Sequence, residues 1–113
     1  ENILKKDKKF EIIIEDACHA YKDQIISLFM LFPILNSGGI FITEELDFPD
    51  TRADMNLKNE KPTLRDILTS IKSGETFDNP LISKNQKDYF LKNFDKIFIL
   101  KGNYNEIAII KKK

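Results

Sequence analysis

Three carboxylates stand where two predicted strands end. Asp16 follows an apolar run at residues 10–14, and Glu44 and Glu45 follow a second apolar run at residues 40–43. The carboxyl ends of neighbouring parallel strands meet at one edge of a sheet, which is where such sheets bind ligands. Carboxylate oxygens suit a hard cation such as Mg²⁺, which would lower the pKa of a substrate hydroxyl bound to it. We therefore predict a metal site formed by Asp16, Glu44 and Glu45.

A histidine and a cysteine follow closely behind the first carboxylate. His19 is the only histidine, and an ordinary imidazole pKa near ~6.5 suits proton transfer at neutral pH. Cys18 would need an activating base in fixed geometry to act as a nucleophile, so we predict a structural role for it. Each candidate also has a simpler interpretation. Asp16 could be a loop or cap residue, His19 an exposed loop residue, and Glu44 and Glu45 solvated charges at a strand end.

The spacing of apolar residues predicts the elements that position these groups. The runs at residues 10–14 and 40–43 are rich in β-branched side chains, which is typical of buried parallel strands. A helical stripe lies between them, at Ile25, Leu28, Phe29 and Phe32. Pro33 should end that helix, and the sequence Asn-Ser-Gly-Gly at 36–39 predicts a turn. The first 45 residues are thus expected to form a right-handed βαβ unit.

The second half of the chain predicts two capped helices and a hairpin. Residues 46–61 lack periodicity, and an irregular stretch of this length is often functional. Thr63 with Asp66 should begin one helix that Gly74 ends, and Ser83 with Gln86 forms a second capping pattern. The apolar face of the first of these helices is predicted at Leu64, Ile67, Leu68 and Ile71. Strands at 97–100 and 107–110 flank a turn that contains a glycine, which predicts an antiparallel hairpin. Five aromatic residues are predicted to lie in the core: Phe29, Phe32, Phe90, Phe94 and Phe98.

Composition limits the classes of function. The chain has 113 residues, enough for one domain, and its 18 basic and 18 acidic residues cancel. A zero net charge argues against a general nucleic-acid binder, and no apolar run approaches the ~20 residues of a membrane span. A single cysteine and the lack of a recognisable signal peptide fit a reducing compartment, so we expect a cytoplasmic protein.

Two local segments resemble a known enzyme group. The segment FEIIIEDACH at residues 10–19 is similar to the F-D-I-I-I-D-D-G-S-H segment at the fourth strand of small-molecule O-methyltransferases, including the macrolide-sugar type. The segment LFPILNSGGIFITEEL at residues 31–46 resembles L-F-P-L-L-K-P-G-G-I-Y-V-I-E-D-L, which covers the fifth strand of that group. The chain departs from the group at Glu15 and Glu45, which replace Asp, and at Ala17 and Cys18, which replace Gly and Ser.

The resemblance implies a fold and a reaction. The fold would be α/β, the C-terminal half of a Rossmann-like (class I) methyltransferase sheet, with parallel strands and helices closed by an antiparallel terminal hairpin. The reaction would be methyl transfer from S-adenosylmethionine to a small hydroxylated acceptor, with a sugar as one candidate. Metal-dependent members of the group hold a divalent ion at the position of Asp16, Glu44 and Glu45, and His19 matches their candidate base.

The same resemblance implies that part of the domain lies outside this chain. The group binds its cofactor with a Gly-rich turn and an acidic residue that have no counterpart here. We therefore expect residues 1–113 to form a single partial domain that is inactive alone and self-associates through an exposed strand edge. Two alternatives remain open. The chain could be a non-catalytic folding or association unit, or part of another Rossmann-like enzyme of the kind described as hydroxylases.

Overall fold

A computed structural model describes residues 10–15 and 20–113 of the chain. Within these residues four strands and four α-helices follow one another in the order β1, α1, β2, α2, α3, α4, β3, β4. Their bounds are β1 Phe10–Glu15, α1 Tyr21–Leu31, β2 Leu35–Thr43, α2 Phe48–Thr51, α3 Leu64–Lys72, α4 Lys84–Asn93, β3 Phe94–Lys101 and β4 Glu106–Lys112. Short 3₁₀ turns follow α1 at Phe32–Ile34 and α2 at Ala53–Met55. No helix in these ranges has both the length and the apolar character to cross a membrane.

The four strands form one mixed sheet in the order β1-β2-β4-β3. β1 pairs with β2 in parallel, whereas β4 pairs antiparallel with both β2 and β3. The last strand therefore inserts between β2 and its own hairpin partner β3. This arrangement confirms the predicted α/β fold, with its parallel pair and its antiparallel terminal hairpin.

The helices α3 and α4 begin at the two cap residues that the sequence predicts, Thr63 and Ser83, and both form capping boxes. The Thr63 side chain accepts from the backbone N–H of Asp66, whose side chain accepts from the backbone N–H of Thr63. Ser83 and Gln86 form the same reciprocal pair at the start of α4. Caps of this kind typically stabilise a helix by about 1 kcal/mol each. The predicted stop at Gly74 is also confirmed by its positive φ of 75°.

One face of the sheet packs against the helices and forms the core. The predicted stripe of α1 is buried, as are all four predicted apolar residues of α3. Their largest partners from the sheet are Phe41 and Ile110, which are opposite each other in the β2–β4 ladder and have no exposed surface. Among the predicted core aromatics, Phe29, Phe32 and Phe90 are buried and Phe94 packs against the core. Phe98 was expected in this core but is 45% exposed, because strand alternation directs it to the opposite face.

The opposite face of the sheet is apolar and uncovered by any described element. One ladder row crosses all four strands, and it consists of Ile14, Ile42, Ile109 and Phe98. Ile12 and Ile14 are each 57% exposed. The prediction of a buried first strand is therefore wrong for these two side chains. β1 packs on only one of its faces and lies at the edge of the sheet.

The predicted turn at residues 36–39 lies inside β2 rather than before it. Phe10 pairs with Leu35 but Ile12 pairs with Ile40, so the register shifts across the extra residues. Gly38 adopts a φ of 81° within this bulge, a conformation that favours glycine. The chain therefore bends without leaving the sheet, as β-bulges do.

Candidate functional site at the carboxyl end of the parallel strands

The ends of β1 and β2 are held side by side. Glu15 and Thr43 are partners in the parallel ladder, and the backbone N–H of Glu44 donates to the carbonyl of Glu15 at 3.2 Å. The hydroxyl of Thr43 donates to Oε1 of Glu15 at 3.4 Å. Glu15 and Thr43 are both buried, so the strand ends form a rigid base for the residues that follow.

The chain turns sharply at Glu45. This residue has a φ of 54°, which non-glycine residues rarely adopt. Its carbonyl accepts from the backbone N–H of Phe48 at 3.2 Å and from Nε2 of Gln24 at 2.9 Å. A side chain of α1 thereby holds the turn that carries two of the predicted metal ligands, Glu44 and Glu45.

The segment after this turn is anchored to β4. The backbone N–H of Leu46 donates to the carbonyl of Glu106 at 2.8 Å, and the backbone N–H of Glu106 donates to Oδ1 of Asp47 at 2.9 Å. The Glu106 carboxylate in turn accepts from Nε of Arg65 at 2.6 Å, and this hydrogen bond raises the pKa of the Arg65 guanidinium above its usual value. The helix α3, the hairpin and the Glu45 turn are therefore joined at one end of the sheet.

Gln24 is an unusual core residue. Its side chain is 1% exposed, and its Oε1 is a buried polar atom that has no hydrogen-bond partner among residues 10–15 and 20–113. A buried acceptor without a donor costs about 1–3 kcal/mol. Since Nε2 of the same amide contacts Glu45, this oxygen lies beside the turn rather than elsewhere in the core.

A cleft opens between the start of α1 and the loop after α2. Its volume is about 340 Å³. Residues 20–23 line one side of the cleft, and the other side is formed by residues 54–58 and Glu60. The predicted irregular stretch at 46–61 contains the short helix α2 and a 3₁₀ turn, and it contributes this second wall. A volume of this order is in the range of small-molecule sites.

The predicted site residues fall into two groups. Glu44 and Glu45 lie at the carboxyl end of the parallel pair, before the loop, as expected. Asp16 and His19, together with Cys18, lie outside the described residues. Within the described part of the chain no group of three metal-ligating side chains occurs.

The residues at this edge fit a hard cation in their chemistry. Glu44 and Glu45 offer carboxylate oxygens, and the amide of Gln24 holds the turn that carries them. Oxygen donors of this kind are what Mg²⁺ prefers.

The polar side chains Glu15, Thr43 and Gln24 were not among the predicted site residues. A signal for Gln24 is present in the sequence, because it occupies a buried position of the apolar face of α1, one residue before Ile25. A glutamine at such a position needs a buried partner. Glu15 and Thr43 carry no comparable signal, since a polar residue at a strand end is ordinary.

Comparison with solved structures finds a similar fold in one part of a longer protein. The chain is similar to the MycE methyltransferase from the mycinamycin biosynthetic pathway, solved in complex with Mg and SAH, with a TM-score of 0.59 and 20% sequence identity. The similarity covers 98% of this chain and 29% of the MycE chain. No protein family profile matches the chain, and no curated protein is similar to it in sequence. The α/β sheet described above therefore shares its fold with one part of the MycE structure, and the chain spans less than a third of the length of that protein.

Proposed function

We propose that this chain is the acceptor-binding part of an S-adenosylmethionine-dependent O-methyltransferase. The observation that carries the proposal is the sheet order β1-β2-β4-β3, in the fold shared with MycE, together with the acidic turn at the carboxyl end of its parallel pair. Ligands of open α/β sheets bind at this end of the strands. The acceptor would be a small hydroxylated molecule, with a sugar as the first candidate.

The carboxylates would hold a divalent ion. We assign Asp16, Glu44 and Glu45 as its ligands and Mg²⁺ as the ion, in agreement with the oxygen donors at this edge. A bound ion of this kind would favour the ionised form of an acceptor hydroxyl. The ladder between β1 and β2 joins Glu44 to Glu15 through their backbones, and this supports a shared site for the residues that follow the two strands.

Proton transfer and acceptor binding would fall to other side chains. His19 would take the proton from the acceptor hydroxyl, and the oxygen would then attack the methyl group in line. The cleft between residues 20–23 and residues 54–60 would hold the acceptor. Tyr21 lines this cleft, and its hydroxyl accepts from Nδ2 of the buried Asn79 at 2.7 Å, so its ring is held in place as one wall.

The cofactor would bind to a part of the enzyme that these 113 residues do not supply. Binding S-adenosylmethionine in this fold uses backbone N–H groups of a Gly-rich turn and an acidic partner for the ribose hydroxyls. The four glycines of the chain are Gly38, Gly39, Gly74 and Gly102. Gly38 and Gly39 form the bulge of β2, Gly74 ends α3, and Gly102 lies in the terminal hairpin.

The test is methyl transfer by a protein that carries both these residues and the cofactor-binding half. We expect Asp16→Ala to lower transfer from S-adenosylmethionine to a hydroxylated sugar by at least ~100-fold, since it removes a ligand at the reacting hydroxyl. Cys18→Ser is the control, because it changes a neighbouring residue without removing a carboxylate. Transfer that survives both Asp16→Ala and removal of divalent ions by EDTA would exclude the metal-assisted mechanism.

A second candidate function is association between copies of the chain, favoured by the uncovered apolar face of the sheet. Phe98 and Leu100 are 45% and 52% exposed, and continuous exposed apolar patches usually mark interaction sites. The face also has complementary charges at its two ends. Lys96 and Lys111 are paired at one end, and Glu44 follows the opposite end of β2. Two copies stacked with antiparallel strands would bring the lysines of each toward Glu44 of the other.

A further inference from the structure

Gln24 connects the interior of α1 to the acidic turn. Its amide donates through Nε2 to the Glu45 carbonyl at 2.9 Å, across 21 residues of sequence. The side chain is almost fully buried and is surrounded on its own helix by the core residues Tyr21, Ile25 and Leu28. The amide therefore has little freedom to reach any other part of the surface.

The hydrogen bond is not needed to satisfy the Glu45 carbonyl. That oxygen also accepts from the backbone N–H of Phe48 at 3.2 Å. The other half of the Gln24 amide, Oε1, has no partner within the described part of the chain, so the residue adds one redundant hydrogen bond and one unpaired buried acceptor to this part of the fold. An apolar side chain of the same length at position 24 should therefore stabilise the fold as well as the glutamine does, or better.

The hydrogen bond bears on the direction of the Glu45 side chain relative to Glu44, because it holds the backbone of the turn. Glu45 is held at a φ of 54°, a conformation that costs free energy for a residue with a side chain and persists only when its surroundings fix it. If the backbone relaxed to a negative φ, the Glu45 side chain would turn relative to Glu44 and the strand end. Gln24 restrains this turn from the side of the helix, and the Phe48 N–H restrains it from the following loop.

We propose that Gln24 is a positioning residue for the Glu44–Glu45 turn, fixing these carboxylates as oxygen ligands for a divalent cation. This inference rests on the proposed function, because it takes the turn to be a cation site. Residues that orient metal ligands without touching the metal typically change affinity by 10–100-fold when they are removed.

The experiment compares cation affinity with fold stability in the same variants. Mn²⁺ is the probe, and its binding to the chain is measured by water proton relaxation. Urea unfolding measures stability. For Gln24→Met we expect Mn²⁺ affinity to fall by about 10-fold or more, while the unfolding midpoint stays unchanged or rises. A purely structural role would produce the reverse pattern, a lower midpoint with unchanged affinity.

Two further variants complete the test. Gln24→Leu should repeat the result of Gln24→Met, and loss of the native circular dichroism spectrum in both would assign the amide to folding and overturn the proposal. Glu45→Gln separates this inference from the proposed function. If the unmodified chain fails to bind Mn²⁺, the cation site and the inference both fail. If Glu45→Gln weakens binding and neither Gln24 variant does, the site stands and only the role of Gln24 is refuted.

Discussion

The ammonium of Lys112 donates to the carbonyl of Leu35 at 2.8 Å, although the two residues are 77 positions apart. Lys112 is 6% exposed, and its Nζ also donates to the Tyr89 hydroxyl at 2.6 Å. Two further carbonyls, of Phe32 and Pro33, lie 3.4 Å from the same nitrogen. The last strand is thereby fastened to the 3₁₀ turn after α1 and to the start of β2.

Replacing Lys112 should destabilise the fold. We expect Lys112→Met to lower the free energy of unfolding by about 1–3 kcal/mol, because buried carbonyls lose their donor. The measurement is urea unfolding followed by circular dichroism. Lys111→Met is the matched control, since Lys111 is exposed on the same strand. Equal unfolding midpoints for the two variants would contradict the stabilising role of the buried ammonium.

The bulge in β2 should tolerate a side chain at only one of its two glycines. A Cβ atom at Gly39 would lie 2.8 Å from the carbonyl oxygen of Asn36 and 3.1 Å from that of Glu11. Since both neighbours are backbone atoms, we expect Gly39→Ala to cost about 1–3 kcal/mol, as overpacking does. Gly38 has a φ of 81° and open space around it, and asparagine tolerates this conformation. Thermal unfolding should therefore show a smaller loss for Gly38→Asn, and a loss equal to that of Gly39→Ala would refute this account.

Local sequence rules predicted the elements well. The capping boxes at Thr63 and Ser83 depend on residues only three positions apart, so the sequence contains their full cause. The terminal hairpin likewise depends on a four-residue connection. The predicted βαβ unit is also confirmed. It could be predicted because the spacing of apolar residues changes between the two strand runs, and this change distinguishes a helix from a strand.

The exposure of individual strand side chains could not be predicted from local sequence patterns in the same way. The run Phe-Glu-Ile-Ile-Ile is typical of a strand buried on both faces, yet Ile12 and Ile14 are largely exposed. Their burial depends on what packs against the second face of the sheet, which no local pattern encodes. The prediction that Phe98 lies in the core was wrong for the same reason. The contact between Gln24 and Glu45 is also tertiary, since it appears only when α1 packs beside the end of β2.

The uncovered face leads to a prediction about association. We expect the 113-residue chain to form dimers or larger species, and Phe98→Lys to shift it toward the monomer, because a charge at the centre of an apolar contact is costly to bury. Ultracentrifugation over a range of protein concentrations measures the shift. Leu91→Lys is the control, since Leu91 is 40% exposed but belongs to α4 on the other side of the sheet. A chain that is monomeric before substitution, or an equal response to both variants, would exclude this face as the interface.

The last prediction concerns the cofactor. We expect these 113 residues alone not to bind S-adenosylmethionine tightly and to have no methyltransferase activity. The reason is that the groups which recognise the cofactor in this fold, a Gly-rich turn after a strand and an acidic residue beyond it, have no counterpart in the sequence. The similarity to MycE covers only 29% of that enzyme, so most of the matched fold lies outside the aligned region. Calorimetric titration of the chain with S-adenosylmethionine tests this directly. Micromolar binding, on the order of −8 kcal/mol, would show that the described sheet carries a cofactor site of its own. Titration with Mn²⁺ under the same conditions provides the comparison, because the acidic turn is part of this chain and its cation affinity does not depend on the cofactor.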